Sequence, residues 1–96
     1  MKIEFNKNNE QLVVCVDGRL DTNTAPELDA FLKEMCTGVD FLTLDCEKLI
    51  YISSAGLRVL LTSHKRMKGS MKLVNVNELV MEVLEMTGFA DILVIE

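Results

Sequence analysis

The order of segments between Phe41 and Val76 limits the fold of this chain more than any other feature. Phe41-Leu42-Thr43-Leu44-Asp45 reads as a short strand buried at Leu42 and Leu44. Further on, Leu57, Leu60, Leu61 and His64 recur at i, i+3, i+4 and i+7. That spacing predicts a helix from Ser54 to about Lys68, ended by Gly69. Lys72–Val76 then reads as another strand. A strand, helix, strand succession implies a sheet with helices packed on it. Strands pair in parallel wherever a helix crosses between neighbours.

The flanking segments extend the same pattern. Lys2–Asn6 and Gln11–Asp17 read as two strands joined by the polar turn Lys7-Asn8-Asn9-Glu10, and Gly18-Arg19-Leu20-Asp21 breaks the pattern. Thr24-Ala25-Pro26-Glu27 opens a helix, with Thr24 as N-cap, Pro26 in the first turn and Glu27 completing a capping box. Leu28, Phe31, Leu32 and Met35 form its apolar stripe, and Gly38 follows its end. Asn77 caps a third helix through about Thr87, Gly88-Phe89 has the form of a Schellman ending, and Ile92–Ile95 supplies a last strand or an extended tail. The expected fold is one α/β domain, a mixed central sheet of about four to five strands packed with about three to four helices.

Composition narrows the function classes. The chain has 96 residues, 49% of them hydrophobic, with one Pro, so a packed core is expected and disorder is not. A domain this small has little room for a deep cofactor cavity, and no cofactor is expected. The net charge of −5 argues against nucleic acid, whose phosphates need a basic face. Lys65, Arg66 and Lys68 cluster where they complement the dipole at the end of the Ser54 helix. No apolar run approaches the ~20 residues that span a membrane, and Met1-Lys2-Ile3-Glu4-Phe5 alternates like a strand, unlike a signal peptide. Cys15, Cys36 and Cys46 form no C-x-x-C pair. A zinc site would need His64 as fourth ligand without finger-like spacing, so no metal is expected. A reduced, cytoplasmic protein fits these features.

The chemistry concentrates in Tyr51-Ile52-Ser53-Ser54-Ala55-Gly56-Leu57-Arg58. Two serines stand where a loop becomes a helix, beside backbone N–H groups without intrahelical partners. Ser53 or Ser54 caps the helix. A hydroxyl there is also well placed for phosphorylation, because a helix N-terminus accommodates the added charge. Gly56 has two readings of equal weight, close approach of another molecule to the serine or close packing of helix on sheet. Arg58 is expected to be exposed beside the serine loop, in reach of a partner or a phosphate. His64 is read as a partly buried histidine and the six methionines, Met81 and Met86 among them, as core or edge filler. Tyr51 is read as shielding the loop, without chemistry of its own. Asp21 and the serines each follow a predicted strand, so both loops are expected at one rim of the sheet. A serine hydrolase is disfavoured, since Ile52 stands where a Gly-x-Ser-x-Gly elbow needs its first glycine.

These residues carry a resemblance. The opening hairpin, Gly18-Arg19-Leu20-Asp21 leading to Thr24 and Ala25, the Phe41–Asp45 strand, Ser53-Ser54-Ala55-Gly56-Leu57, and Lys72-Leu73-Val74-Asn75-Val76 through Gly88-Phe89 resemble the anti-sigma factor antagonists of the STAS domain family. The resemblance covers nearly the whole chain as one domain. It implies a non-enzymatic partner switch. In that family a serine-kinase anti-sigma factor, bound to ATP, holds a sigma factor inactive. The unphosphorylated antagonist binds the kinase and frees the sigma factor. Phosphorylation of a serine ends the binding, and a PP2C-type phosphatase reverses it. Carried over, the acceptor is Ser54, and Asp21 matches the acidic loop residue that helps meet the kinase; the residues expected to bind the partner are Asp21, Thr24, Ser53, Ser54, Gly56 and Arg58. Two positions depart from the family motif: Ser53 replaces its aspartate and Ala55 its second hydroxyl residue. The alternative is a constitutive STAS scaffold or sensor module in which Ser54 is only a cap.

Overall fold

The computed structural model describes residues 1–96. Its elements are β1 (Lys2–Asn8), β2 (Gln11–Leu20), α1 (Ala25–Met35), β3 (Phe41–Asp45), β4 (Leu49–Ile52), α2 (Ser54–Arg66), β5 (Met71–Val74) and α3 (Glu78–Met86), with a 3-10 turn at Phe89–Asp91. The expected mixed sheet packed with helices is found. It has five strands in the order β1-β2-β3-β5, and β4 pairs with β2 off that path. The β1–β2 pair is an antiparallel hairpin, while β2–β3, β2–β4 and β3–β5 are parallel, as the crossovers require.

Alternation along the strands places the core. Leu12, Val14 and Val16 of β2, Leu42 and Leu44 of β3, and Met71 and Leu73 of β5 are buried on one sheet face. They join Leu28 and Leu32 of α1, Leu57 and Leu60 of α2, and Val80 and Leu84 of α3 in one cluster of 23 buried residues. The alternate residues Val13, Thr43 and Lys72 line the opposite face and remain exposed or half-buried. Across the helical layer, Arg66 Nη2 lies 3.7 Å from Asp29 Oδ1 and ties α2 to α1.

Several boundaries differ from the sequence reading. β2 does not stop at Asp17 but runs on to Leu20, trading β3 for β4 as its partner. The apparent break at Gly18 is a change of register in the ladder, taken up by a glycine at φ 111° that few other residues tolerate. β4 went unpredicted. Its burial runs buried, exposed, exposed, buried, so it lacks the period of two that marks a half-buried strand. The apolar stripe of α2 is broader than expected: Gly56, Val59 and Ser63 are buried with Leu57 and Leu60, whereas Leu61 and His64 are half-buried. Helix α2 ends at Arg66, and the C-terminal tail contributes one parallel bridge, Leu73 to Ile95, beside β5.

Candidate functional site

The C-terminal ends of β2 and β4 lie side by side, Arg19 against Tyr51 and Leu20 against Ile52. Each runs straight into one of the two loops singled out by the sequence. The Ser53 N–H donates to the Leu20 carbonyl at 2.9 Å, which carries the pairing one residue beyond β4 and fixes the start of α2 against the end of β2. Asp21 and Ser54 therefore share one rim of the sheet.

The capping role that the sequence left open between Ser53 and Ser54 falls to Ser53. Ser53 is the N-cap of α2, with extended backbone, and its hydroxyl accepts from the Gly56 N–H at 3.5 Å. Ser54 is the first helical residue and is exposed, leaving its hydroxyl outside the capping contact. The first turn of α2 contains no acidic residue, so nothing of the helix's own offsets its positive end. Arg58 is exposed one turn further along.

Gly56 is buried, and the close approach it permits is inward. A Cβ there would stand 2.8 Å from Leu20 Cγ, 2.9 Å from Ile52 Cγ1 and 2.9 Å from the Leu20 carbonyl oxygen. The packing reading accounts for this glycine.

The Asp21 turn is built differently from its prediction. Thr24 occupies the N-cap position of α1 but makes no side-chain capping bond, and the capping box with Glu27 does not form. Asp21 acts in its place. Its Oδ1 accepts from the Asn23 N–H at 3.0 Å, the Thr24 N–H at 3.1 Å and the Thr24 hydroxyl at 3.2 Å. The Thr24 hydroxyl in turn accepts from the Asp21 N–H and lies 2.8 Å from the Arg19 carbonyl. Thr24 is thus an internal strut of the turn. Partial desolvation pushes the Asp21 carboxyl up, but the hydrogen bonds from Thr24 and Asn23 outweigh it and hold the group below its ordinary value. Its second oxygen, Oδ2, faces Arg19 Nε at 3.8 Å.

Outside this rim, a shallow depression on the open sheet face is lined by Glu4, Cys15, Asp45, Glu47 and Lys48. Asn75 Nδ2 donates to Asp45 Oδ1 at 3.0 Å, and this bond, ahead of opposing desolvation, lowers the Asp45 carboxyl. All three cysteines are free thiols. No helix is long and apolar enough to cross a membrane.

Comparison with known proteins agrees with the resemblance. Residues 2–96 match the STAS domain family model. BtrV of Bordetella bronchiseptica, assigned as an anti-sigma factor antagonist, is 35% identical over 96 residues, covering 96% of this chain and 83% of BtrV. The crystal structure of an anti-sigma factor antagonist from Mycobacterium paratuberculosis superposes with a TM-score of 0.88 at 20% identity, covering 98% of this chain and 83% of that one. The phosphorylated form of the Bacillus cell fate determinant SpoIIAA gives a TM-score of 0.75 at 17% identity, with coverage of 99% and 91%. Sequence match, fold and a serine-bearing rim at the end of the sheet converge, and the chain belongs to the STAS domain family, among its anti-sigma factor antagonists.

Proposed function

We propose that this protein is the reversible element of a partner switch. Unphosphorylated, it binds a serine-kinase anti-sigma factor in its ATP-bound form and so releases the sigma factor. Transfer of a phosphoryl group from ATP to Ser54 ends that binding, and a PP2C-type phosphatase restores it. The chain contributes a surface and not a catalyst, acts in the cytoplasm, and needs neither nucleic acid nor membrane.

One observation carries the reading: Ser54 is exposed at the first position of α2, while Ser53 supplies the cap. The acceptor hydroxyl is therefore free of a structural duty, and its modification leaves the helix start intact. Phosphorylation adds about −1.5 to −2 charges. The open helix end tolerates that charge within the molecule, but an interface shaped for a hydroxyl does not. A binding loss of about 3–4 kcal/mol weakens a complex several-hundredfold, enough for a switch. Asp21 and Arg58 flank the acceptor as the charged partner contacts. Ser53 and the buried Gly56 act by setting where Ser54 stands, and Thr24 by bracing Asp21.

Intact-mass spectrometry after incubation with ATP and each candidate kinase of the same genome tests the reading. The expected result is a gain of one phosphoryl group that Ser54→Ala abolishes and Ser53→Ala retains, with Ser54→Asp unable to bind the kinase. No phosphoryl transfer from any of them would turn the assignment to the constitutive scaffold or sensor module.

A further inference from the structure

We propose that Arg19 is a positioning residue for this rim: its guanidinium, laid over Tyr51 and facing Asp21, fixes the turn bearing Asp21 against the strand that delivers Ser54. The role deepens the partner-switch reading and rests on it for its biological meaning, though not for its geometry.

Arg19 Cζ lies 4.2 Å from the centre of the Tyr51 ring, within the range of a cation–π contact. Its Nε is 3.8 Å from Asp21 Oδ2. Its carbonyl lies 2.8 Å from the Thr24 hydroxyl, the group that also accepts from the Asp21 N–H. One residue thus touches the turn through its backbone, and both Asp21 and β4 through its side chain. β4 is where such a tie is needed. It is four residues long, and its ladder with β2 shifts register between Gly18 and Arg19, just where the pairing begins. That shift makes Tyr51 the ladder partner of Arg19, and neither side chain is buried: Arg19 is 57% exposed at its side chain and Tyr51 37% exposed overall. An exposed Arg–Tyr pair contributes little to a core, so its effect falls on the mutual placement of the two loops.

A double-mutant cycle isolates the pair. Steady-state phosphorylation is measured with the kinase that modifies the wild-type chain, for Arg19→Ala, Tyr51→Leu and the double variant. Tyr51→Leu removes the stacking surface without changing charge, so it separates positioning from electrostatic attraction. Each single variant is expected to raise KM roughly two- to fivefold, the size of an exposed cation–π contact, with kcat nearly unchanged. The double variant is expected to be no worse than either single one, and Tyr51→Phe, which keeps the ring face, to match wild type. Independent or absent effects of the two singles would overturn the proposal. A second readout needs no kinase: in ¹H–¹⁵N spectra, Arg19→Ala is expected to shift the amides of Asp21 and Ser54, as is Tyr51→Leu. Unmoved Ser54 amides in both variants would also overturn it. If no kinase modifies the wild-type chain, the partner-switch reading fails by itself, and the spectra still decide the role of Arg19.

Discussion

Gly56→Ala sets two opposing effects against each other at the start of α2. In an unobstructed helix, alanine in place of glycine gains about 1 kcal/mol. Here the new methyl would stand 2.8–2.9 Å from Leu20 Cγ, Ile52 Cγ1 and the Leu20 carbonyl oxygen, where carbon contacts are comfortable only beyond about 3.5 Å. Two of these atoms belong to side chains that are themselves fully packed, and the third is backbone. The helix start must therefore retreat, and overpacking of this kind costs about 1–3 kcal/mol. The retreat also stretches the 2.9 Å bond from the Ser53 N–H to the same Leu20 carbonyl, a contribution of about 1 kcal/mol. The balance is a net loss of about 2 kcal/mol, which lowers Tm by about 8–16 °C in a domain of this size. Calorimetry and urea unfolding measure it directly. Ser54→Ala, two residues earlier and exposed, serves as the control and is expected to leave Tm nearly unchanged. A stabilised Gly56→Ala protein would refute the reasoning, because it would show that α2 meets β2 with room to spare.

The remaining expectations concern groups away from the rim. Ser63 is wholly buried in α2 and its hydroxyl has no hydrogen-bond partner. Ser63→Ala should therefore stabilise the fold by about 1–2 kcal/mol in urea unfolding, and a destabilised variant would reveal a partner for that hydroxyl. Asp45 is lowered chiefly by its hydrogen bond from Asn75. A depressed carboxyl contributes stability in full above its unfolded value near 4 and loses it as pH falls through the folded value. Asn75→Ala should accordingly flatten the loss of stability between about pH 4 and pH 2, read from urea midpoints across that range. Burial, with Asp45 nearby, pushes the Cys46 thiol up to about 12. Iodoacetamide at neutral pH should reach half-buried Cys15 first and Cys46 only on unfolding, as peptide mass mapping will show.

What the sequence disclosed depended on how local each cause was. The Asn77 cap of α3, whose side chain accepts from the Val80 N–H at 2.8 Å, is written in residues three apart and was legible. So was the α2 start; Asp21 and Ser54 do share one rim, but the serine loop closes β4 and not the Phe41–Asp45 strand from which that placement is read. β4 was hidden because its four residues are recognised by what they pair with, not by their own alternation. Thr24 holds the expected N-cap position, but the box with Glu27 does not form for a related reason: Asp21 stands three residues before Thr24 and takes the Thr24 N–H that Glu27 would otherwise claim. Which of Ser53 and Ser54 faces outward is a matter of one backbone step, and only the bond from Ser53 to Leu20 settles it. Arg19 looked like part of a loop until its register with Tyr51 was known.

The long strand β2 has a consequence for how this chain tolerates change. β3 and β4 occupy successive stretches of the same side of β2, Gln11–Cys15 and Gly18–Leu20, with exposed Glu47 and Lys48 in the gap between them. The position of Ser54 is therefore measured off the end of β2 and not counted forward from β3. A residue added or removed at Glu47 would be absorbed as slack in the gap, while the same change between Gly18 and Asp21 would move the datum itself. Ser54 is addressed by a ruler on a neighbouring strand, which leaves the connection between β3 and β4 free to vary in length.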